Sequence, residues 1–287
     1  MCSSDLDTFN SDPYWDFFSR LRRLVDQRGP QRVWVDEELR LCSDAGVFAW
    51  FHDAQWGGKS WTQQELTMGY LMFSRVCLTT AFVLTQRVAA SQRIEASPNR
   101  EFASRWMPRL VRGEAFATVG ISHLTTSRQY LNAPVLHASL VEGGYRLDGY
   151  TPWVTGAAGA DLFVVGATLE DGRQLLLGVS RESAGLQVLP AADLLALEAS
   201  QTGPVLFQSV FVPQACLLQG PAENVLQSGA GAGTGGLQTT TLAVGLARSA
   251  LDYLKIQAKT RSDIARIREA LDRECSSLER RSEEHTS

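Results

Sequence analysis

Residues 149–161 read GYTPWVTGAAGAD and set Trp153 and Thr155 one residue apart between glycines. An indole offers broad apolar contact to a planar ring. A hydroxyl two positions along a strand points to the same side, because strand side chains alternate. It can donate to a ring nitrogen or accept from a ring N–H. A core tryptophan followed by a strand threonine is the plainer reading of the same residues. A second stretch, ISHLTTSRQ (121–129), places Ser122, Thr125, Thr126 and Ser127 beside Arg128. Hydroxyls and backbone N–H groups satisfy anionic oxygens, and a cation balances their charge. Ser and Thr also favour ordinary solvated turns, where they bond their own backbone. On residue types alone both readings stand at both places.

Other chemistries find less support. Gly231, Gly233 and Gly236 match G-x-G-x-x-G inside SGAGAGTGG (228–236). A dinucleotide fingerprint needs a preceding strand and an acidic residue ending the next one. Asp252, at that distance, falls in a helical pattern, so a flexible linker is expected instead. His52, His123 and His137 have no second ligand two to four residues away, and no metal site is expected. No G-x-S-x-G elbow anchors hydrolase chemistry. The five cysteines are scattered without C-x-x-C, which favours free thiols.

The elements that must position these residues follow from periodicity. Residues 13–45 place Trp15, Phe18, Leu21, Leu24, Leu39 and Leu41 at helical spacing. A long helix is expected from Gln63 to about Ala90, and a shorter one ends at Gly113. After Glu114 come seven short β-type runs, from FATVGISHL to PVLFQSVFVP, split by turns such as Glu142-Gly143-Gly144. Helical spacing returns from Leu237. This order predicts an α+β plan. It comprises a helical domain (7–115), a middle β-barrel or sandwich domain (116–225), a linker (226–236) and a partial helical bundle (237–280).

The chain has 287 residues, 44% hydrophobic, with net charge −4. No basic field favours nucleic acid. No apolar run reaches the roughly 20 residues that span a bilayer. The start lacks a secretory signal pattern, and a cytoplasmic location is expected.

The two ends share an oddity. RSEEHTS (281–287) can be encoded as AGATCGGAAGAGCACACGTCT, whose reverse complement read from a GTG start gives MCSSDL (1–6). The expectation is that translated sequencing adapter flanks a native segment from about Asp7 to Arg280, with the native C-terminus lying further on.

Five stretches occur in a telling order: AGVFAWFHDAQWGGKSWTQQEL, FASRWMPRLVRGEAFATVGIS, GYRLDGYTPWVTGAAGADLFVVGA, PVLFQSVFVPQACLL and LAVGLARSALDYLKIQAKTR. Together they resemble the acyl-CoA dehydrogenase family over nearly the whole segment. The resemblance implies an FAD-dependent oxidoreductase performing α,β-dehydrogenation of an acyl thioester. A glutamate removes the α-proton while the β-hydrogen leaves as hydride to the flavin. It also implies FAD between the β domain and the last helices, an acyl-CoA-like substrate, and a homodimer or homotetramer. Thr155 matches a threonine at the flavin, and Trp153 an aromatic beside the ring. Ser122 matches a threonine at the flavin edge, and Arg261 an arginine that reaches FAD across a dimer interface. The reading requires the Trp153 indole to be reachable from a cleft.

Departures from the family pattern accompany the matches. His123, Leu124, Ser127 and Gln129 replace the acidic residue, proline, glycine and aspartate of the family's T-E-P-x-x-G-S-D loop. Gly236 stands where many members carry arginine, and the Phe-Gly after Arg261 is missing. Leu237 to Leu251 contains no carboxylate for an early catalytic base. Glu65, Glu114 and Glu198 have no neighbour that marks them as one. Two alternatives therefore stay open: a flavin-free or idle relative acting as a binding protein, and a flavin-dependent monooxygenase on the same architecture. Weak or no activity is expected of the chain itself.

Overall fold

The computed structural model describes residues 12–29, 32–125, 135–227 and 237–284. Helices α1 (Asp12–Arg28) and α2 (Asp36–Asp44) open it. Phe17, Phe18, Leu21, Leu39 and Leu41 line their inner faces and pack on a 3-10 turn, Val47–Phe51. Trp15, expected on the same stripe, stands exposed.

The single long helix expected from Gln63 is two helices, α3 (Gln63–Val76) and α4 (Leu78–Glu95). Cys77 between them is extended, with φ −154° and ψ 105°. Its Sγ accepts the Thr80 N–H at 3.5 Å and so caps α4. Tyr70, Phe73, Thr80 and Leu84 are buried on both sides of the break, so the apolar pattern runs through it unmarked. Helix α3 opens on a capping box: Thr62 Oγ1 accepts the Glu65 N–H, and the Glu65 carboxylate accepts the Thr62 N–H at 2.6 Å. Helix α5 (Arg100–Val111) starts at Asn99, whose side-chain oxygen accepts the Phe102 N–H at 3.0 Å.

Eight strands join in one sheet: β1 (Ala117–Gly120), β2 (Leu136–Val141), β3 (Gly144–Val154), β4 (Leu162–Thr168), β5 (Gln174–Ser180), β6 (Leu186–Val188), β7 (Gly203–Pro213) and β8 (Leu217–Ala222). Their order is β6-β7-β3-β2-β4-β5-β8, with β1 parallel to β4. The sequence pattern marks the first seven. LLQGPA, the eighth, is hidden by its glycine and proline, which an edge strand tolerates.

Leu136, Leu147, Phe163, Val165, Leu175, Leu177, Val205 and Phe207, from five strands, share one core cluster, so the sheet curls over its own inner face. Strands β4 and β5 are buried on both faces, because Leu162, Val164 and Leu176 pack outward with β1 and α5. Their near-continuous apolar runs reflect that double burial.

Helix α7 (Leu237–Gln257) lies along α3, and α8 (Ser262–Glu284) folds back on it. Arg248 of α7 pairs with Asp272 and Glu279 of α8 and donates to Ser276 Oγ at 2.8 Å. The Gly-rich stretch 228–236 and residues 1–6 lie outside the described residues.

Candidate functional site: the turn after strand β3

Strand β3 ends at Val154, and the site is built where it turns. Trp153 is 50% exposed, so its indole is reachable from outside. Thr155 is buried, and it is the first residue beyond the strand. A register shift against β7 falls between Thr151 and Val154. Two-residue alternation therefore does not extend from Trp153 to Thr155, and the expectation of a shared strand side has no basis here.

Three bonds hold the Thr155 turn. Thr118 Oγ1 on β1 donates to the Thr155 carbonyl at 2.7 Å. Thr155 Oγ1 lies 2.9 Å from Thr202 Oγ1, which lies 2.8 Å from Ser200 Oγ. Gly156 N–H donates to the Ser200 carbonyl at 2.9 Å. Gly156 adopts φ +67°, and an added Cβ would sit 2.4 Å from the Trp34 ring. Glycine here satisfies both the left-handed turn and the close approach of that indole.

The segment 197–202 is itself fixed. Leu197 and Gln201 have φ of 63° and 47°, values that non-glycine residues rarely adopt. Arg32 Nε pairs with Glu198 Oε2 at 2.7 Å, and Gln201 Nε2 donates to the Arg32 carbonyl at 2.8 Å. Local strain of this kind persists only where the surroundings over-determine it.

Ser122 begins a four-residue helix, α6 (Ser122–Thr125), where the sequence suggests only a loop. His123 Nε2 meets the Gly166 carbonyl at 2.8 Å, and Leu124 packs so close to Gly166 that an added Cβ would meet it at 2.3 Å. These contacts pin α6 to β4, and α6 also packs on β3. Ser122, itself half-buried, thus shares a neighbourhood with the strand of Trp153. Thr126 to Gln129 lie outside the described residues. Arg261 stands apart from this group, exposed between α7 and α8. Its Nη2 donates to Asp263 Oδ2 at 2.7 Å, and that bond raises the pKa of the guanidinium.

The three lone glutamates are each committed locally. Glu65 caps α3, Glu114 pairs with Arg112 at 2.6 Å, and Glu198 pairs with Arg32. The hydroxyls of Thr118, Ser200 and Thr202, and the Trp34 ring, escape sequence reasoning. No local period marks them, and they reach Thr155 only through strand pairing.

No protein-family model matches the chain. It is 28% identical over 212 residues to an L-prolyl-[peptidyl-carrier protein] dehydrogenase of Pseudomonas fluorescens, covering 70% of this chain and 55% of that protein. It is 24% identical over 248 residues to the benzylmalonyl-CoA dehydrogenase of Aromatoleum aromaticum, covering 80% and 63%. The chain thus spans between half and two thirds of the length of these curated relatives. Butyryl-CoA dehydrogenase from Megasphaera elsdenii has the same fold, with TM-score 0.79 at 17% identity over 93% of this chain and 76% of that one. The fold also occurs in a dibenzothiophene monooxygenase from Paenibacillus and in structures solved with FAD, FMN or FADH2.

Proposed function

We propose that this chain, which has the fold of the acyl-CoA dehydrogenases and resembles them in sequence, comes from a flavin-dependent oxidoreductase whose whole protein desaturates an acyl thioester. The observation that carries the reading is the placement of Trp153. In the stretch that resembles the family's flavin contact, a large indole stands half-open at a strand end instead of filling the core. An exposed tryptophan offers one face to a planar ring, and the resemblance assigns the polar edge of that ring to the Thr155 hydroxyl in the neighbouring turn.

The turn beside Trp153 is held in place: Thr155, itself buried, ends a line of hydroxyls through Thr202 to Ser200, and Gly156 packs against the Trp34 ring. When bound, FAD would supply the acceptor for a hydride from the β-carbon. Trp153 would cover the ring, Thr155 would bond its edge, and Ser122 on α6 would bond a second edge position. Arg261, exposed on the helical hairpin, would reach a cofactor held by a second copy of the chain. No catalytic base is assigned, since the first carboxylate of α7 is Asp252, which is paired with Arg75 at 2.8 Å.

Mixing the purified chain with FAD and then, without oxygen, with butyryl-CoA tests the reading. Retained yellow colour after gel filtration supports flavin binding, and bleaching of that colour by the thioester supports the reaction. A chain that stays colourless at saturating FAD overturns the proposal.

A further inference from the structure

A cleft of about 260 Å³ lies where α2 meets the turn 113–116 and the entry to β4 at 159–161. Arg87 of α4 lines it and is 1% exposed. Its Nη2 donates to the Leu110 carbonyl and, at 3.3 Å, to the Ala115 carbonyl. The guanidinium carbon stands 3.5 Å from the centre of the Phe48 ring. Nη1 carries two N–H donors, is buried, and has no partner among the described residues. A buried charged donor left unmade is costly. Burial lowers the Arg87 pKa to about 9, so the group is still a cation at neutral pH. The buried end of the cleft therefore calls for an acceptor, and a carboxylate suits it best.

The rim has the opposite sign. Asp36, Asp44, Glu114 and Asp161 line it, with Arg40 as the cation among them. Asp36 pairs with Arg40 at 3.1 Å, and Glu114 pairs with Arg112. Asp161 accepts the Phe116 N–H at 2.8 Å, and neither it nor Asp44 has an ion-pair partner among the described residues. Asp44 also ends α2, whose last turn holds no basic residue. A helix C-terminus carries partial negative charge and favours a cation there. A simple anion would satisfy Arg87 but meet this rim. A simple amine would suit the rim but leave Arg87 unmade.

We propose that this cleft binds a small zwitterion of the amino acid class, with its carboxylate on Arg87 and its ammonium toward Asp44 and Asp161. The volume suits a molecule of that size. The site stands apart from the flavin reading, since it uses neither Trp153 nor Thr155.

The test is isothermal titration calorimetry of the purified chain with L-alanine and 4-aminobutyrate, two spacings of the same charges, and with butyrate and butylamine, which carry one charge each. One zwitterion at least is expected to bind saturably, and each single-charge probe about tenfold more weakly or worse. The exposed pair Asp44→Asn/Asp161→Asn should raise the zwitterion Kd about three- to tenfold without weakening butyrate. Arg87→Met should abolish binding, with folding checked by circular dichroism. Where Arg87→Met does not fold, the rim variant and the butyrate comparison decide. No saturable binding of either zwitterion overturns the proposal. So does butyrate or butylamine binding as tightly as the zwitterion, or unchanged affinity in the folded rim variant or in folded Arg87→Met.

Discussion

Arg28 Nε donates to Glu38 Oε1 at 2.7 Å where α1 meets α2, and the two side chains are 14% and 3% exposed. The same guanidinium reaches Cys77 Sγ at 3.7 Å, so one cation joins both helices to the α3–α4 break. A buried pair contributes little net stability, but removing one partner strands the other charge. Arg28→Met is expected to cost about 3–5 kcal/mol in chemical denaturation. Adding Glu38→Leu should recover most of it. Equal stability of the single and double variants would show that the charge of Glu38 is not what the arginine offsets.

Trp153 separates binding from folding. Its indole is half exposed, so Trp153→Ala should cost only about 1–2 kcal/mol of stability, from the half that is covered. The same change should weaken FAD binding tenfold or more. A large loss of stability without a change in FAD affinity would mark the indole as structural.

Gly245 sets how closely α7 approaches α3. A Cβ there would sit 1.9 Å from Ser74 Oγ and 2.6 Å from the Leu71 carbonyl oxygen. The first contact involves a side chain, but the second is backbone and cannot turn away. Gly245→Ala gains up to about 1 kcal/mol of helix propensity. Overpacking costs about 1–3 kcal/mol, so a net destabilisation is expected in thermal melts. A more stable Gly245→Ala would show that the two helices can separate freely.

Burial raises the Cys42 thiol pKa well above its ordinary value, with Glu38 and Cys77 adding to the shift and Arg87 opposing it. The native state therefore keeps its proton at a pH where the unfolded chain, with a thiol near 8.5, has begun to lose it. The contribution is fully present below about pH 8.5 and falls as pH rises past it. Each such thiol steepens the decline by up to about 1.4 kcal/mol per pH unit. Denaturation between pH 7.5 and 9.5 should show the decline, and Cys42→Ala should make it shallower. An identical slope in that variant would exclude Cys42 as a source.

The helix–sheet–helix order and the resemblance to acyl-CoA dehydrogenases were legible because each depends on neighbours in sequence. Apolar spacing declares a helix or strand wherever one face is buried, as on α1 and β7. Motif order survives even where single loops diverge, as at His123 and Leu124. The break at Cys77 was not legible, since both helices bury the same side and the period never falters. Strand β8 was obscured by Gly220 and Pro221, and α6 by a run of hydroxyl residues that also suits a turn.

At the site, local sequence established that Trp153 and Thr155 stand together at a strand end. Only the tertiary structure decided what surrounds them. Val154 pairs with Gly203 when β3 meets β7, and that register brings Thr202 to Thr155 across 47 residues. Strand pairing is long-range and has no local period, so hydroxyl partners it creates cannot be read from spacing. The indole of Trp153 was likewise free by sequence to fill the core or to face outward. Its exposure followed from the neighbours that the sheet folded over and those that it left out.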